Sequence, residues 1–150
     1  DKEARGDVAL ANTLAGMVES TSGCISEHAI EHAMSACHPD LPHGAGLIMI
    51  SREYYTLFAK SGKCEERMVR MAKALGHTGA ARAMDFVATL VELQKQCGVD
   101  DLKMSEYGIR EEEFPELLKN SRENMGSLYA VDPVRLSDDD VISVLQKSHR

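Results

Sequence analysis

The amino-acid sequence predicts an all-α, multi-helix domain. Apolar residues recur at helical spacing almost throughout, no segment alternates convincingly as a strand, and prolines or glycines stand where most of the periodic runs end. Val8, Leu10, Ala11, Leu14, Ala15 and Val18 form one apolar face of a first helix, which starts at Gly6-Asp7. A second helix runs from about Ile25 to Ala36, with Ala29, Ile30, Ala33 and Met34 on its faces. Pro39 and Pro42 stop it, because proline has no amide donor and its ring clashes with the preceding turn. The segment from Cys37 to Gly44 is then a short, stiff loop. From Ala45 to about Lys60 the run Leu47, Ile48, Met49, Ile50, Tyr54, Tyr55, Leu57, Phe58 is nearly apolar all round at its start, which predicts a central buried helix closed by Ser61-Gly62.

Glu65 to Leu75 is amphipathic on Met68, Val69, Met71, Ala72 and Leu75, and Gly76 stands where a helix-ending left-handed residue belongs. Ala80 to Cys97 repeats the pattern on Ala83, Phe86, Val87, Leu90, Val91 and Leu93, ending at Gly98. A shorter helix is expected around Glu112 to Asn120, with Pro115 in its first turn, where a missing N–H leaves no bond unmade. A loop follows through Tyr129 to Pro133. Ser137 and Asp140, three apart, make a capping box with acids at the positive end of a last helix on Val141, Ile142, Val144 and Leu145. The total is about seven helices in one domain.

The 150 residues are enough for a self-sufficient core, since a chain of this size buries roughly 68–70% of its unfolded surface. A 43% hydrophobic and 27% charged composition excludes wholesale disorder. With 5% aromatics and no Trp, the core must be aliphatic and Met-rich, so the apolar and Met stripes are read as core. A net charge of −7 without a basic run excludes nucleic acid and anionic membrane as partners. No segment approaches the ~20 apolar residues of a membrane span. The start, Asp1-Lys2-Glu3, is neither a signal peptide nor an initiator Met, so the chain is expected to be part of something longer. Cys24, Cys37, Cys64 and Cys97 form no C-x-x-C pair, which excludes zinc-ribbon and thioredoxin chemistry. They are expected to be buried free thiols of a reducing cytoplasm. Phosphate-cradling glycine motifs and the G-x-S-x-G of serine hydrolases are absent.

What remains is histidine. Four of the six, His28, His32, His38 and His43, fall within sixteen residues, while His77 and His149 stand alone. His28 and His32 are at i and i+4, so their rings lie one above the other on one helical face. His43 follows a proline-bent loop that can return beside that face. Two imidazoles one turn apart and a third across a loop suit a divalent first-row metal. The plainer alternative is a solvated helix surface on which Glu27 and Glu31 accompany the histidines. For His38, beside Pro39-Asp40, an exposed turn is the expectation. The acidic run Glu111-Glu112-Glu113 is read as a solvated helix start.

The pattern Gly16-Met17-x-x-Ser20-x-x-Gly23-x-x-x-x-His28-x-x-x-His32, continuing to Pro42-His43-Gly44, resembles the iron-containing alcohol dehydrogenase family. His32-Ala33-Met34-Ser35-Ala36 and Pro39-Asp40-Leu41-Pro42-His43-Gly44-Ala45-Gly46-Leu47 look like its butanol and lactaldehyde reductase branch. Tyr107-Gly108-Ile109, Asp132-Pro133 and Leu136-Ser137 are similar to the family's C-terminal end.

The resemblance implies the helical domain of a dehydroquinate synthase-like fold, with residues 1–150 as a single C-terminal metal-binding domain and the N-terminal nucleotide-binding domain absent. It implies a divalent metal, Fe²⁺ or Zn²⁺, held by one Asp and three His, of which His28 and His43 are two. It implies that His32 is a catalytic histidine near the nicotinamide of NAD(P), relaying or positioning a proton. The substrate is a small alcohol or aldehyde, and the enzyme a cytoplasmic homo-oligomer. The separation of His28 and His43 is one residue longer than the family spacing, which makes His38 a candidate assistant or competitor. The family's remaining Asp and His ligands are not in this chain, so a C-terminal fragment with half a metal site is expected, inactive by itself. Two other readings remain open: a stand-alone metal- or pH-sensing module using His28, His38 and His43 with Asp40, and a helical dimerisation domain with incidental histidines.

Overall fold

A computed structural model describes residues 1–150, and seven α-helices and two 3-10 turns, with no strand, make up its regular structure. The all-α expectation holds. Helix α1 (Lys2–Ser22) begins at Lys2 rather than at Gly6-Asp7, because the Asp1 carboxylate accepts the Glu3 amide at 2.9 Å and caps it. Its apolar face is not core: no residue of α1 is buried, and Val8, Met17 and Val18 are each more than half exposed. Gly23, at φ 73, ends it.

Helix α2 (Ser26–Cys37) buries Ala29, Ile30, Ala33 and Met34. Small residues along this face let neighbouring helices approach closely. Helix α3 (His43–Ser61) is the hub of the fold. Met49, Ile50, Tyr54 and Phe58 recur along its buried side, and Gly62 closes it in the left-handed region at φ 71. It packs on α2, α5 and α7. His43 therefore does not sit in a loop, as expected, but opens α3. Pro42, with φ fixed near −66°, stands at the cap position and admits the helix one residue later.

Helices α4 (Glu65–Ala74) and α5 (Ala83–Gln96) pair as a hairpin, and α5 packs on α3. The start of α5 falls at Ala83 rather than Ala80, since the Asp85 carboxylate accepts the Ala81 and Arg82 amides at 2.8 and 2.9 Å. Short 3-10 turns at Met104–Tyr107 and Glu111–Glu113 lead into α6 (Phe114–Ala130). This helix runs past the expected end at Asn120 into residues read as a loop, and Pro115 does lie in its first turn. It bends at Met125 (φ −131, ψ 25), immediately before Gly126-Ser127, a pair that lets a helix kink. Helix α7 (Asp138–Ser148) starts at the anticipated box: Ser137 Oγ accepts the Asp140 amide at 3.2 Å, and Asp140 accepts the Ser137 amide at 2.9 Å.

The core is aliphatic and methionine-rich, as composition required, with Met34, Met49, Met68 and Met104 buried beside Tyr54, Phe58, Phe86 and Phe114. The cysteines depart from expectation. All four are free, but only Cys64 is buried, and Cys37 and Cys97 are exposed. A thiol that is one of the smaller apolar groups can sit on either side of a helix surface, so spacing did not fix its burial. No helix is long and apolar enough to cross a membrane.

Candidate metal centre

The site is built where α2 and the first turn of α3 meet. Helix α2 has no side-chain cap of its own, since Ile25 stands at that position. Its first amides need a partner. Asp132, from the far end of the chain, supplies one: its Oδ1 accepts the Ser26 amide at 3.0 Å and its Oδ2 accepts the Ser26 hydroxyl at 2.6 Å. The Tyr54 hydroxyl of α3 donates to the same carboxylate at 3.1 Å. One acid thus fixes the start of α2 to the middle of α3. Burial pushes the Tyr54 phenol far above its ordinary range.

One turn on, the helix presents His28 and then His32. Their ring centroids are 6.3 Å apart, and His43 stands 5.2 Å from each. One ring nitrogen from each of the three lies within 4.8 Å of the others. Three nitrogens this close can share one ion. Glu19, Gly23, Cys24, Met125 and Leu128 surround them. The kink of α6 at Met125 therefore falls at the edge of this pocket. Burial, followed by the neighbouring His43 and His32, lowers the pKa of His28 below the usual imidazole value, which favours the neutral form a metal needs.

The acidic neighbours do not solvate this face, as the plainer alternative required. Glu27 is 6% exposed and Glu31 is fully buried. The Tyr55 hydroxyl donates to Glu27 at 2.9 Å, and burial raises the Glu27 carboxyl to about 7 against the opposing effect of that bond. Glu31 Oε2 meets His43 Nδ1, while Glu31 Oε1 is buried without a partner. That orphaned oxygen belongs to the carboxyl that meets His43, and the three imidazole nitrogens beside it are a donor set that fits a divalent cation. Sequence reading had treated Glu31 only as a surface neighbour. A signal that could have pointed to it is Gly46, whose missing Cβ leaves room for the Glu31 side chain.

His38 stands elsewhere. Its side chain is only 14% exposed and its Nε2 lies 3.5 Å from Glu113, so it is neither an exposed turn residue nor a member of the cluster. Asp40 is exposed. The ligand set proposed for a stand-alone sensor is thus not assembled. His77 faces Thr89 and His149 reaches the Ile109 carbonyl.

Comparison with known proteins agrees with this architecture. The profile of the Fe-containing alcohol dehydrogenase family, C-terminal, matches residues 1–149. A search of curated proteins gave no match. Among solved structures, an archaeal halo-thermophilic alcohol dehydrogenase from a Red Sea brine pool, bound to NZQ, superposes with a TM-score of 0.90 at 30% identity, over 99% of this chain and 38% of its own. A variant of that enzyme with one histidine replaced by alanine gives 0.88 at 30% identity, over the same shares of 99% and 38%. A 1,3-propanediol oxidoreductase shares the fold, with a TM-score of 0.75 at 17% identity over 90% of this chain and 35% of its own. The chain spans well under half the length of these structures. Its helices, in their order and packing, are those of one part of such an enzyme, and the chain belongs to the Fe-containing alcohol dehydrogenase family, matching its C-terminal domain.

Proposed function

We propose that residues 1–150 supply the helical side of the active centre of a metal-dependent alcohol dehydrogenase that acts on a small alcohol or aldehyde with NAD(P). The observation that carries this reading is the convergence of His28, His32 and His43 within 4.8 Å next to a buried, half-satisfied carboxylate. His28 and His43 hold the ion, Fe²⁺ or Zn²⁺. When bound, the metal supplies Lewis acidity toward the substrate oxygen and the nicotinamide supplies the hydride path. His32, one turn from His28, accepts or returns the proton of the substrate hydroxyl at a ring nitrogen. Met125 and Leu128 present apolar surface to the pocket and limit water there. The Asp and third His that complete the ligand set, and the nucleotide-binding domain, belong in this reading to parts of the enzyme outside these residues. A homo-oligomeric enzyme of the cytoplasm fits it.

Metal content tests the assignment. His28→Ala and His43→Ala are expected to lower the bound metal per chain several-fold. His32→Ala is expected to keep the metal and, in the complete enzyme, to lower turnover by the 10²–10⁴-fold typical of a lost acid–base group. Metal content unchanged in both ligand variants overturns the reading. Metal lost with His32 moves that residue among the ligands.

A further inference from the structure

We propose that Glu31 is the positioning residue of the histidine cluster: its buried carboxylate, seated in the space kept open by Gly46, holds His43 by Nδ1 and leaves Nε2 as the nitrogen free to bind an ion. This rests on the metal reading above.

Three observations meet here. First, the Glu31 side chain has no exposure, yet its polar contacts reduce to one, Oε2 with His43 Nδ1, and Oε1 has none. A buried carboxylate with a single partner is costly, so the fold retains it against its own stability. Second, Gly46 lies inside α3 and is not among the glycines with positive φ, so its backbone makes no demand for glycine. Glycine is a poor helix former, and an alanine would be the better choice there on propensity. What excludes it is space: a Cβ on Gly46 would lie 2.6 Å from Glu31 Cγ and 2.8 Å from Oε1. Third, His43 and Gly46 are three apart in the first turn of α3, so one face of that turn gives Glu31 both its partner and its room. The positive end of α3 lies at the same place.

The chemistry follows. An imidazole has two nitrogens, and only an unprotonated one binds metal. A carboxylate at Nδ1 fixes the N–H there, orients the ring and makes Nε2 the more basic donor. Half of the side chain of His43 is solvent-exposed, so packing alone does not hold its ring.

The test uses the complete enzyme, because the ligand set closes outside these residues. In the metal-free protein, ¹⁵N-correlated NMR of the His43 ring is expected to show a single Nδ1–H tautomer. Glu31→Gln, whose amide oxygen still accepts, is expected to retain that tautomer, and Glu31→Ala to lose it. Zn²⁺ titration is expected to weaken about 10–100-fold in Glu31→Ala, the usual effect of losing such a partner. Gly46→Ala is expected to weaken Zn²⁺ binding in the same direction. It removes no ligand and no charge, and it favours the helix, so a merely structural role for Glu31 would not produce that result. It also carries the test if Glu31→Ala does not fold. Affinity within twofold of the parent in both Gly46→Ala and the folded Glu31 variants, while His28→Ala abolishes binding, overturns the positioning role and leaves the metal reading intact. No Zn²⁺ binding by the complete parent enzyme overturns both.

Discussion

At Ser26 a backbone amide and a hydroxyl turn toward the same carboxylate that receives the Tyr54 phenol, and this acid, Asp132, lies more than a hundred positions along the chain. Hydrogen bonds to a charged partner contribute about 1.5–3 kcal/mol each when fully counted, and less where solvent reaches them. Asp132 is half-buried, so Asp132→Ala is expected to cost about 2–3 kcal/mol in urea denaturation. Asp132→Asn retains one acceptor and is expected to lose roughly half as much. A cost below about 0.5 kcal/mol for the alanine variant would mean that water replaces the carboxylate. The same scale explains what the sequence disclosed of the site. The spacing of His28 and His32 is a property of one helix, and it placed their rings together correctly. His43 was also found, through Pro42, although it proved to begin a helix. Asp132 and Glu31 were missed as partners because their contacts cross between elements, and no local spacing encodes which carboxylate a distant amide or imidazole will meet.

At the scale of elements, ends were harder to read than interiors. Apolar periodicity located α2 through α5 and α7 within a few residues, since each must turn one face to the core. Where side chains replace the helical hydrogen bonds, the ends moved. The start of α5 is an example. Asp85 accepts two backbone amides, and these bonds, from Ala81 and then Arg82, hold its carboxyl below the usual value. A depressed folded pKa contributes stability above the ordinary carboxylate range, and that contribution is lost as pH falls through the folded value. Thermal melts from pH 7 down to pH 2 are expected to show a shallower acid decline in Asp85→Asn than in the parent, with most of the difference below pH 4. Identical acid limbs would place the bonds outside the solution ensemble. The length of α6 escaped the sequence for a different reason. The expected end lay at Asn120, whereas the chain continues and bends at Met125, because Leu117 and Tyr129 on either side of the bend are both buried.

For the molecule as a whole, the all-α class was legible because period, breakers and composition agreed. The disposition of α1 was not. Periodicity reports that a helix has an apolar side, not what stands opposite it, and the Val8–Val18 face read as core has no buried residue. Within residues 1–150 no residue of α1 is buried, and a helix without tertiary packing, with Gly6 and Gly16 inside it, is weakly held in water. In residues 1–150 alone, native-state hydrogen exchange is therefore expected to divide the chain: amides of α1 exchange with little protection, while those of α2 and α3 require global unfolding. Equal protection in α1 and α2 would contradict that division. The division also has a kinetic side. Glu19 of α1 and Cys24 just beyond it form part of the wall around the three imidazoles. When α1 melts, that wall opens, and helix–coil relaxation occurs in roughly 0.1–1 μs. In residues 1–150 taken alone, entry of an ion to His28, His32 and His43 is then expected to follow the folding equilibrium of α1, so that substitutions lowering helix propensity in α1 speed Zn²⁺ loading without touching a ligand.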